Sequence, residues 1–200
     1  MASAVEICNL ALSHLRHSKR IASFSEQSEE ARLCSLFYET TRDLVLRDVR
    51  WPFATTTKAL GLIQEQPNTE WAYSYEYPSD CLLARRILSG VRNDTRAARV
   101  PYKIAYDDGA KVLFCDRENA VLEYTVAITD TSLFAPDFVM ALSYRLAFYL
   151  APTLTGGDPD NLGQRAMQMY ALEKSAATAN AFNEQQDEEL PQAELINFRE

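Results

Sequence analysis

Two histidines, His14 and His17, are the first side chains to consider for catalysis or metal binding in this 200-residue chain. They lie three residues apart near the end of an expected helix, a spacing that could place both on one face and hold a metal. No acidic or cysteine partner stands at a ligand's spacing from them, and basic residues follow. We therefore predict surface histidines and no metal site. A Ser–His or Cys–His nucleophile pair would need one of the same two residues.

Other patterns of catalytic chemistry are also missing from the sequence. Gly156-Gly157 is too short to cradle a phosphate, and neither a P-loop nor a dinucleotide fingerprint is present. Asp80 stands where a turn acid would cap a local N–H. Paired carboxylates for glycoside cleavage stay open, because the 28 acidic residues have distances that a sequence does not show. We predict no enzyme, no catalytic residues and no cofactor.

Charge and cysteine usage narrow the class of protein. A net charge of −8 makes binding to nucleic-acid phosphates unfavourable. The alternative explanation of this charge is that it simply keeps the protein in solution. The cysteines form no CxxC pair and are expected to be reduced core thiols; they are Cys8, Cys34, Cys81 and Cys115. We expect no signal peptide, and no apolar run approaches the ~18 residues that a membrane span needs.

Helical and strand patterns follow one another in blocks. Helices are predicted over 3–17, 28–50, 136–152 and 160–185, and strands between 54 and 131. Ser3 and Glu6 form a capping box, and Pro136 suits a first helical position. An Asp-Gly pair ending at Gly109 predicts a hairpin. The fourth helix carries an expected buried stripe of Leu162, Ala166, Met169, Leu172, Ala176, Ala179 and Phe182.

This order predicts an α+β fold. We expect a four-helix bundle with a β-rich insertion between helices two and three, followed by an extended C-terminal tail. The corresponding ranges are 1–53 and 132–182 for the helical bundle domain, 54–131 for the insertion and 183–200 for an extended arm. Trp51 and Phe53 are expected to pin the end of the second helix to the core.

Two apolar features have both a structural and a functional interpretation. Trp71, Tyr73, Tyr75 and Tyr77 alternate as the core face of a sheet would, although a carbohydrate platform or protein patch would look the same. The acidic tail ends in an apolar cluster, which is either a frayed terminus or an arm that becomes ordered on a neighbour. We favour the arm, with anchors at Leu190, Leu195, Ile196 and Phe198.

The ordered segments resemble one known family. The chain resembles the tail tubular protein A family of short-tailed bacteriophages, which are head-to-tail adaptor or gatekeeper proteins. The resemblance covers about residues 1 to 182, and the order of its short segments is what carries it. Those segments are Ala11-Leu12, Glu30-Ala31-Arg32, Trp51-Pro52-Phe53, Tyr77-Pro78-Ser79-Asp80-Cys81-Leu82, Leu122-Glu123-Tyr124-Thr125, Asp130-Thr131-Ser132-Leu133-Phe134-Ala135-Pro136-Asp137-Phe138 and Ala141-Leu142-Ser143-Tyr144-Arg145-Leu146-Ala147.

The resemblance implies a virion structural protein at the head–tail junction. Such adaptors form a dodecameric ring between the portal protein and the tail nozzle protein, and DNA passes through the lumen without specific binding. The helices would assemble the ring and contact the portal, while the insertion would face the next tail component. Glycan hydrolysis is described for some members, but no residue pattern here maps to it. A tail-associated glycan hydrolase and a generic head-completion or tail-terminator protein stay as alternatives.

Arginines of the insertion are candidates for contacts in such a ring. Arg85, Arg86, Arg92 and Arg96, together with Arg99, could pair with acids of a neighbouring subunit or of the portal. Ordinary solvated loop charge is the alternative, since surface charges need no partner.

Overall fold

The computed structural model describes residues 2–91, 98–107 and 109–183, which form four α-helices and two antiparallel sheets. The helices are α1 (Ala4–His14), α2 (Glu29–Asp48), α3 (Pro136–Leu154) and α4 (Leu162–Asn183). The strands are β1 (Thr55–Ala59), β2 (Leu62–Glu65), β3 (Tyr73–Glu76), β4 (Cys81–Ile87), β5 (Tyr102–Asp107), β6 (Ala110–Cys115) and β7 (Val121–Val126). No helix in these ranges is long and apolar enough to cross a membrane.

Local chemistry explains where the helices start. Ser3 and Glu6 form the predicted capping box of α1, each accepting the other's backbone N–H. Ser28 caps α2 by accepting the N–H of Ala31. Pro136 occupies the first turn of α3, where its missing N–H costs nothing.

Helix α3 is the centre of the helical unit, and the predicted four-helix bundle is wrong. The chain is α+β, but the other three helices all pack on α3, whereas α1 and α2 barely touch each other. A bundle needs each helix to share a core with two neighbours. Here α3 is apolar around most of its circumference and is buried at nine positions: Phe138, Val139, Ala141, Leu142, Ser143, Leu146, Ala147, Leu150 and Ala151.

The end of α2 is fixed by aromatic packing, as predicted. Trp51 is 1% exposed, and its Nε1 donates to the carbonyl of Val45 at 2.9 Å. Its ring meets Phe138 of α3 edge-on, with centroids 5.0 Å apart, and Phe53 meets Phe138 at 5.2 Å. Edge-to-face pairs of this kind contribute roughly 0.5–1.5 kcal/mol beyond the area they bury. The chain therefore leaves the helical unit at a fixed point.

The strands form two antiparallel sheets, with orders β1-β7-β4 and β2-β3-β6-β5. Their facing sides enclose a second core separate from the helical one, built on Tyr75, Ile87, Leu113, Leu122 and Tyr124. The predicted hairpin is confirmed, since β5 and β6 pair up to Asp107 and Ala110 and Gly109 has a φ of +79°. Strand β2 lies within the range 54–131 that was predicted to contain strands.

Strands β1 and β7 place the two ends of the inserted segment side by side. They pair antiparallel with Thr55 opposite Thr125. Thr55 comes directly after the short 3₁₀ helix Pro52–Ala54, and β7 leads through another, Thr131–Leu133, to α3. The sheet unit therefore leaves and rejoins the helical unit at one place.

Two details of the predicted helices are corrected. Pro152 does not end α3, which continues to Leu154. A proline in a last turn removes a single hydrogen bond, and Thr155 still donates to Ala151 there. The predicted stripe of α4 is buried at Leu162 and Ala166, but farther along the buried face turns to Tyr170 and Ala177.

The remainder of that predicted stripe faces away from the core. Met169 is 39% exposed and Leu172 is 63% exposed, while Ala176 and Ala179 are also exposed. Tyr170 is buried on that face instead, and its hydroxyl donates to the carboxylate of Asp48 on α2 at 2.5 Å. The side chain of Phe182 lies outside the described part.

Substitution of Gly163 tests how closely α4 packs against α3. A Cβ there would lie 2.8 Å from Ala151 Cβ and 3.0 Å from Asp158 Oδ2. Alanine normally stabilises a helix by about 1 kcal/mol over glycine, but here we expect Gly163→Ala to destabilise the protein by about 1–3 kcal/mol. Urea unfolding measures this. Gly61→Ala is the control, because its Cβ would meet Glu76 at an ordinary 3.5 Å. A stabilised Gly163→Ala would contradict the packing.

Candidate functional site

The two histidines have separate partners. His14 Nε2 lies 3.0 Å from Ser143 Oγ, and its ring stacks on Tyr144 with centroids 4.0 Å apart. Burial lowers the pKa of His14. His17 Nε2 lies 2.8 Å from Glu30 Oε1 instead. Both rings are half-buried rather than free on the surface, and no group of three or more metal-binding side chains occurs in the described ranges.

Glu30 is a buried acid that the sequence did not single out. It is 5% exposed at the start of α2, where His17 and Lys19 approach the same carboxylate oxygen at 2.8 and 3.6 Å. The hydrogen bond from His17, together with one from its own backbone N–H, holds the pKa of Glu30 below its ordinary value. This contact fastens the loop after α1 to α2, which is a structural role.

The aromatic series does not form a platform. Tyr75 is 1% exposed and its hydroxyl donates to the carbonyl of Arg117 at 2.8 Å, so it belongs to the second core. Trp71 and Tyr77 flank β3 and are half-buried. Asp80, expected to cap a turn, accepts the hydroxyl of Tyr124 at 3.1 Å, and burial with this contact raises the pKa of Tyr124 to about 12.

A cavity of about 420 Å³ lies where the end of α2 meets the sheet β1-β7-β4. Its wall is unusual in a chain of net charge −8, because arginines dominate it. We call it the arginine cavity; its described lining residues are Arg50, Arg85, Arg86, Ile87, Arg99, Val100, Tyr102 and Glu123. The four guanidinium groups face a single carboxylate in this lining.

That carboxylate, Glu123, is 4% exposed on the central strand β7. Arg50 Nη2 lies 2.6 Å from Glu123 Oε1, an ion pair outside the angular range of a hydrogen bond. Arg86, its cross-strand neighbour on β4, donates from Nε to Oε2 at 3.0 Å, and its Nη2 forms an ion pair with the same oxygen at 3.0 Å. A buried acid needs such partners, because removing an ion from water costs several kcal/mol (roughly) unless it is paired.

Arg85 joins the sheet to the helical unit. Its Nε donates to Thr125 Oγ1 at 2.9 Å, and its Nη2 donates to the carbonyls of Val49 at 2.8 Å and Arg47 at 3.1 Å. The last carbonyls of a helix lack partners inside the helix and attract cations. Arg85 thus caps the end of α2 from a neighbouring strand. Burial first, and then the charge of Arg50, lower the pKa of Arg85.

The cavity can attract an anion. Within its described lining, positive charge exceeds negative charge, and Arg50 Nε is buried without a hydrogen bond. Guanidinium groups bind carboxylate and phosphate through paired N–H donors.

The predicted interface residues are only partly described. Arg85 and Arg86 are adjacent in the cavity and bond within the chain, whereas Arg92 and Arg96 lie outside the described residues. The tail anchors Leu190, Leu195, Ile196 and Phe198 also lie outside them. Arg50 and Glu123 were missed as site residues. An acid flanked by Leu122 and Tyr124 in an apolar strand was the available signal, because such an acid requires buried partners.

Arg85→Lys tests the joint between sheet and helix. Lysine keeps the charge, but its ammonium lacks the planar fork that reaches Thr125 and the helix carbonyls together. We expect a loss of about 1–3 kcal/mol in the free energy of unfolding, measured by urea denaturation. Arg20→Lys, on an exposed loop residue, should change it by less than about 0.5 kcal/mol. Equal urea midpoints for Arg85→Lys and Arg20→Lys would show that Arg85 does not fasten the sheet to the end of α2.

The lowered pKa of Glu30 predicts that the free energy of unfolding depends on pH. Because its pKa is lowered in the folded protein, its contribution is complete above the ordinary value of 4.5 and disappears as pH falls through the folded value. Glu30→Gln should therefore lose about 1–2 kcal/mol at pH 7, with the difference from the native protein shrinking toward pH 3. Glu29→Gln, on an exposed neighbour, should show no such convergence. A pH-independent difference for Glu30→Gln would contradict the ion pair.

No family model and no curated protein matches this chain significantly. The resemblance to phage adaptors therefore stays a prediction, and function has to be argued from the residues and their geometry.

Proposed function

We propose that this chain is a phage virion structural protein: a head-to-tail adaptor that assembles as a ring, of twelve copies by analogy with the family it resembles. The ring would join the portal protein to the tail nozzle protein and form part of the DNA channel. The helical unit would contact the portal and neighbouring subunits, and the sheet unit would face the next tail component.

The observation that carries this proposal is the joint between two separately cored units. The helical core and the core between the sheets are distinct. They are connected by paired strands at Thr55 and Thr125, and by Arg85 bonding across to the end of α2. A protein that holds two partners at a fixed spacing requires such a stiff connection. A single-substrate enzyme requires a pocket with reactive groups instead.

Exposed apolar side chains on both units support two sets of contacts. Leu36 is 62% exposed on α2 and Leu172 is 63% exposed on α4. On the sheet unit, Ile63 is 55% exposed and Tyr106 is 79% exposed. Single exposed apolar residues are common in monomers, but their presence on both units is what an adaptor between two partners needs.

The charge of the chain is compatible with a DNA channel. Twelve copies at −8 each would carry about −96 formal charges. Lumen walls of that sign would repel DNA phosphates, so the DNA would slide instead of adhering. The net charge of the ring is therefore compatible with passage of DNA and unfavourable to tight nonspecific binding.

Light scattering tests the proposal. The purified 22.6 kDa chain would be measured alone and after mixing with the portal protein encoded in the same genome. We expect a stoichiometric ring-sized complex with the portal, and twelve adaptor subunits per ring by native mass spectrometry. The matched control is the chain mixed with a portal from an unrelated phage.

Absence of binding to its own portal at micromolar concentrations would contradict the adaptor role. Assembly with a different symmetry, without portal, would indicate a head-completion or tail-terminator protein. Release of sugars from peptidoglycan, abolished by one Asp or Glu substitution, would indicate a tail-associated glycan hydrolase.

A further inference from the structure

We propose that the arginine cavity is a receptor for a carboxylate side chain carried by an acidic segment of a partner protein. The inference rests on the proposed function only in assuming that the chain has a protein partner. It adds the chemistry of one contact and its position, at the junction of the helical and sheet units.

The positive charges that line the arginine cavity favour binding of a carboxylate. Glu123 is already shared by Arg50 and Arg86, at 2.6 and 3.0 Å. Arg85 bonds only neutral oxygens, those of Thr125 and the end of α2, and makes no ion pair within the described ranges. Arg99 is exposed and likewise has no ion pair in that part of the chain. Within the described residues, the guanidinium groups of Arg85 and Arg99 therefore form no ion pair with a carboxylate.

The arginine cavity is also lined by a residue with a hydrogen-bond donor that has no acceptor among the described residues. Arg50 Nε is buried and makes no hydrogen bond with the described residues, although Arg50 lines the cavity. A buried N–H without an acceptor costs about 1–3 kcal/mol, so native structures usually supply one. A carboxylate in the cavity would lie beside Arg50 and would offset the surplus positive charge of the described lining.

The size of the arginine cavity also suits an acidic side chain. The cavity volume of about 420 Å³ is an order of magnitude more than the roughly 30 Å³ of one water in the liquid. It accommodates a side chain with its carboxylate, and Arg99 is an exposed part of its lining. A nucleic-acid duplex is too wide to enter so small a recess, whereas a single carboxylate side chain on a protein segment fits it.

Titration of the isolated chain with a capped peptide of alternating glutamate and glycine tests the receptor. Two-dimensional NMR follows the arginine Nε–Hε resonances at constant ionic strength. We expect saturable shifts at Arg50 and Arg85, no shifts with the matched glutamine–glycine peptide, and weaker binding as salt rises. Inorganic phosphate, titrated separately, should bind more weakly than the peptide.

Arg99→Glu supplies the decisive variant because Arg99 is exposed and its reversal should leave the fold intact. Reversing its charge should weaken the peptide about tenfold, whereas Arg20→Glu, outside the cavity, should change affinity by less than about twofold. Absence of shifts, or equal weakening by both variants, would overturn the receptor. Phosphate binding as tightly as the peptide would overturn its assignment to a protein acid. No portal is present, so a failure here is separate from failure to form a ring.

Discussion

The antiparallel pairing of β1 with β7 is the constraint on which the rest of the structure depends. Thr55 opposite Thr125 brings the end of the first helical pair and the start of the second next to each other. The aromatic contacts of Trp51, Phe53 and Phe134 with Phe138 then close the helical unit at that place, with ring centroids between 4.6 and 5.2 Å apart. A helical core made from two distant parts of the chain can form because the inserted segment returns to its origin.

Arginine side chains bond across this junction. Thr125, fully buried, pairs with Thr55 through its backbone and accepts Arg85 Nε through its hydroxyl. Arg85 also holds the carbonyls at the end of α2, and two further arginines pair with Glu123, two residues before Thr125 on β7. Buried hydrogen-bonded networks are costly when incomplete, so the position of each unit is strongly specified relative to the other. The same arginines leave surplus positive charge in the cavity.

Features with local causes were predictable from the sequence. The capping box at Ser3, the hairpin at Gly109 and the anchoring of Trp51 each depend on neighbouring residues, and the structure has them. The arrangement of helices around α3 was not predictable, because apolar stripes do not specify which helices meet. The buried face of α4 was misassigned because Tyr170 was not counted as apolar, although its hydroxyl bonds Asp48. The arginine cavity was not predicted: Arg85, Arg86 and Arg99 were named only as candidate ring contacts, because the cavity also needs Arg50 after α2 and Glu123 on β7.

Native-state hydrogen exchange most directly tests the claim that this junction makes the helical and sheet units one mechanical body. The slowest amides of α3, around Leu142 and Leu146, would be compared with those of β7, at Leu122 and Tyr124, over a range of subdenaturing urea. The account predicts that both sets open with the same free energy and the same urea dependence, because the units unfold together. If the β7 amides exchange through an opening of clearly lower free energy while α3 stays protected, the junction does not couple the units and the rigid adaptor fails.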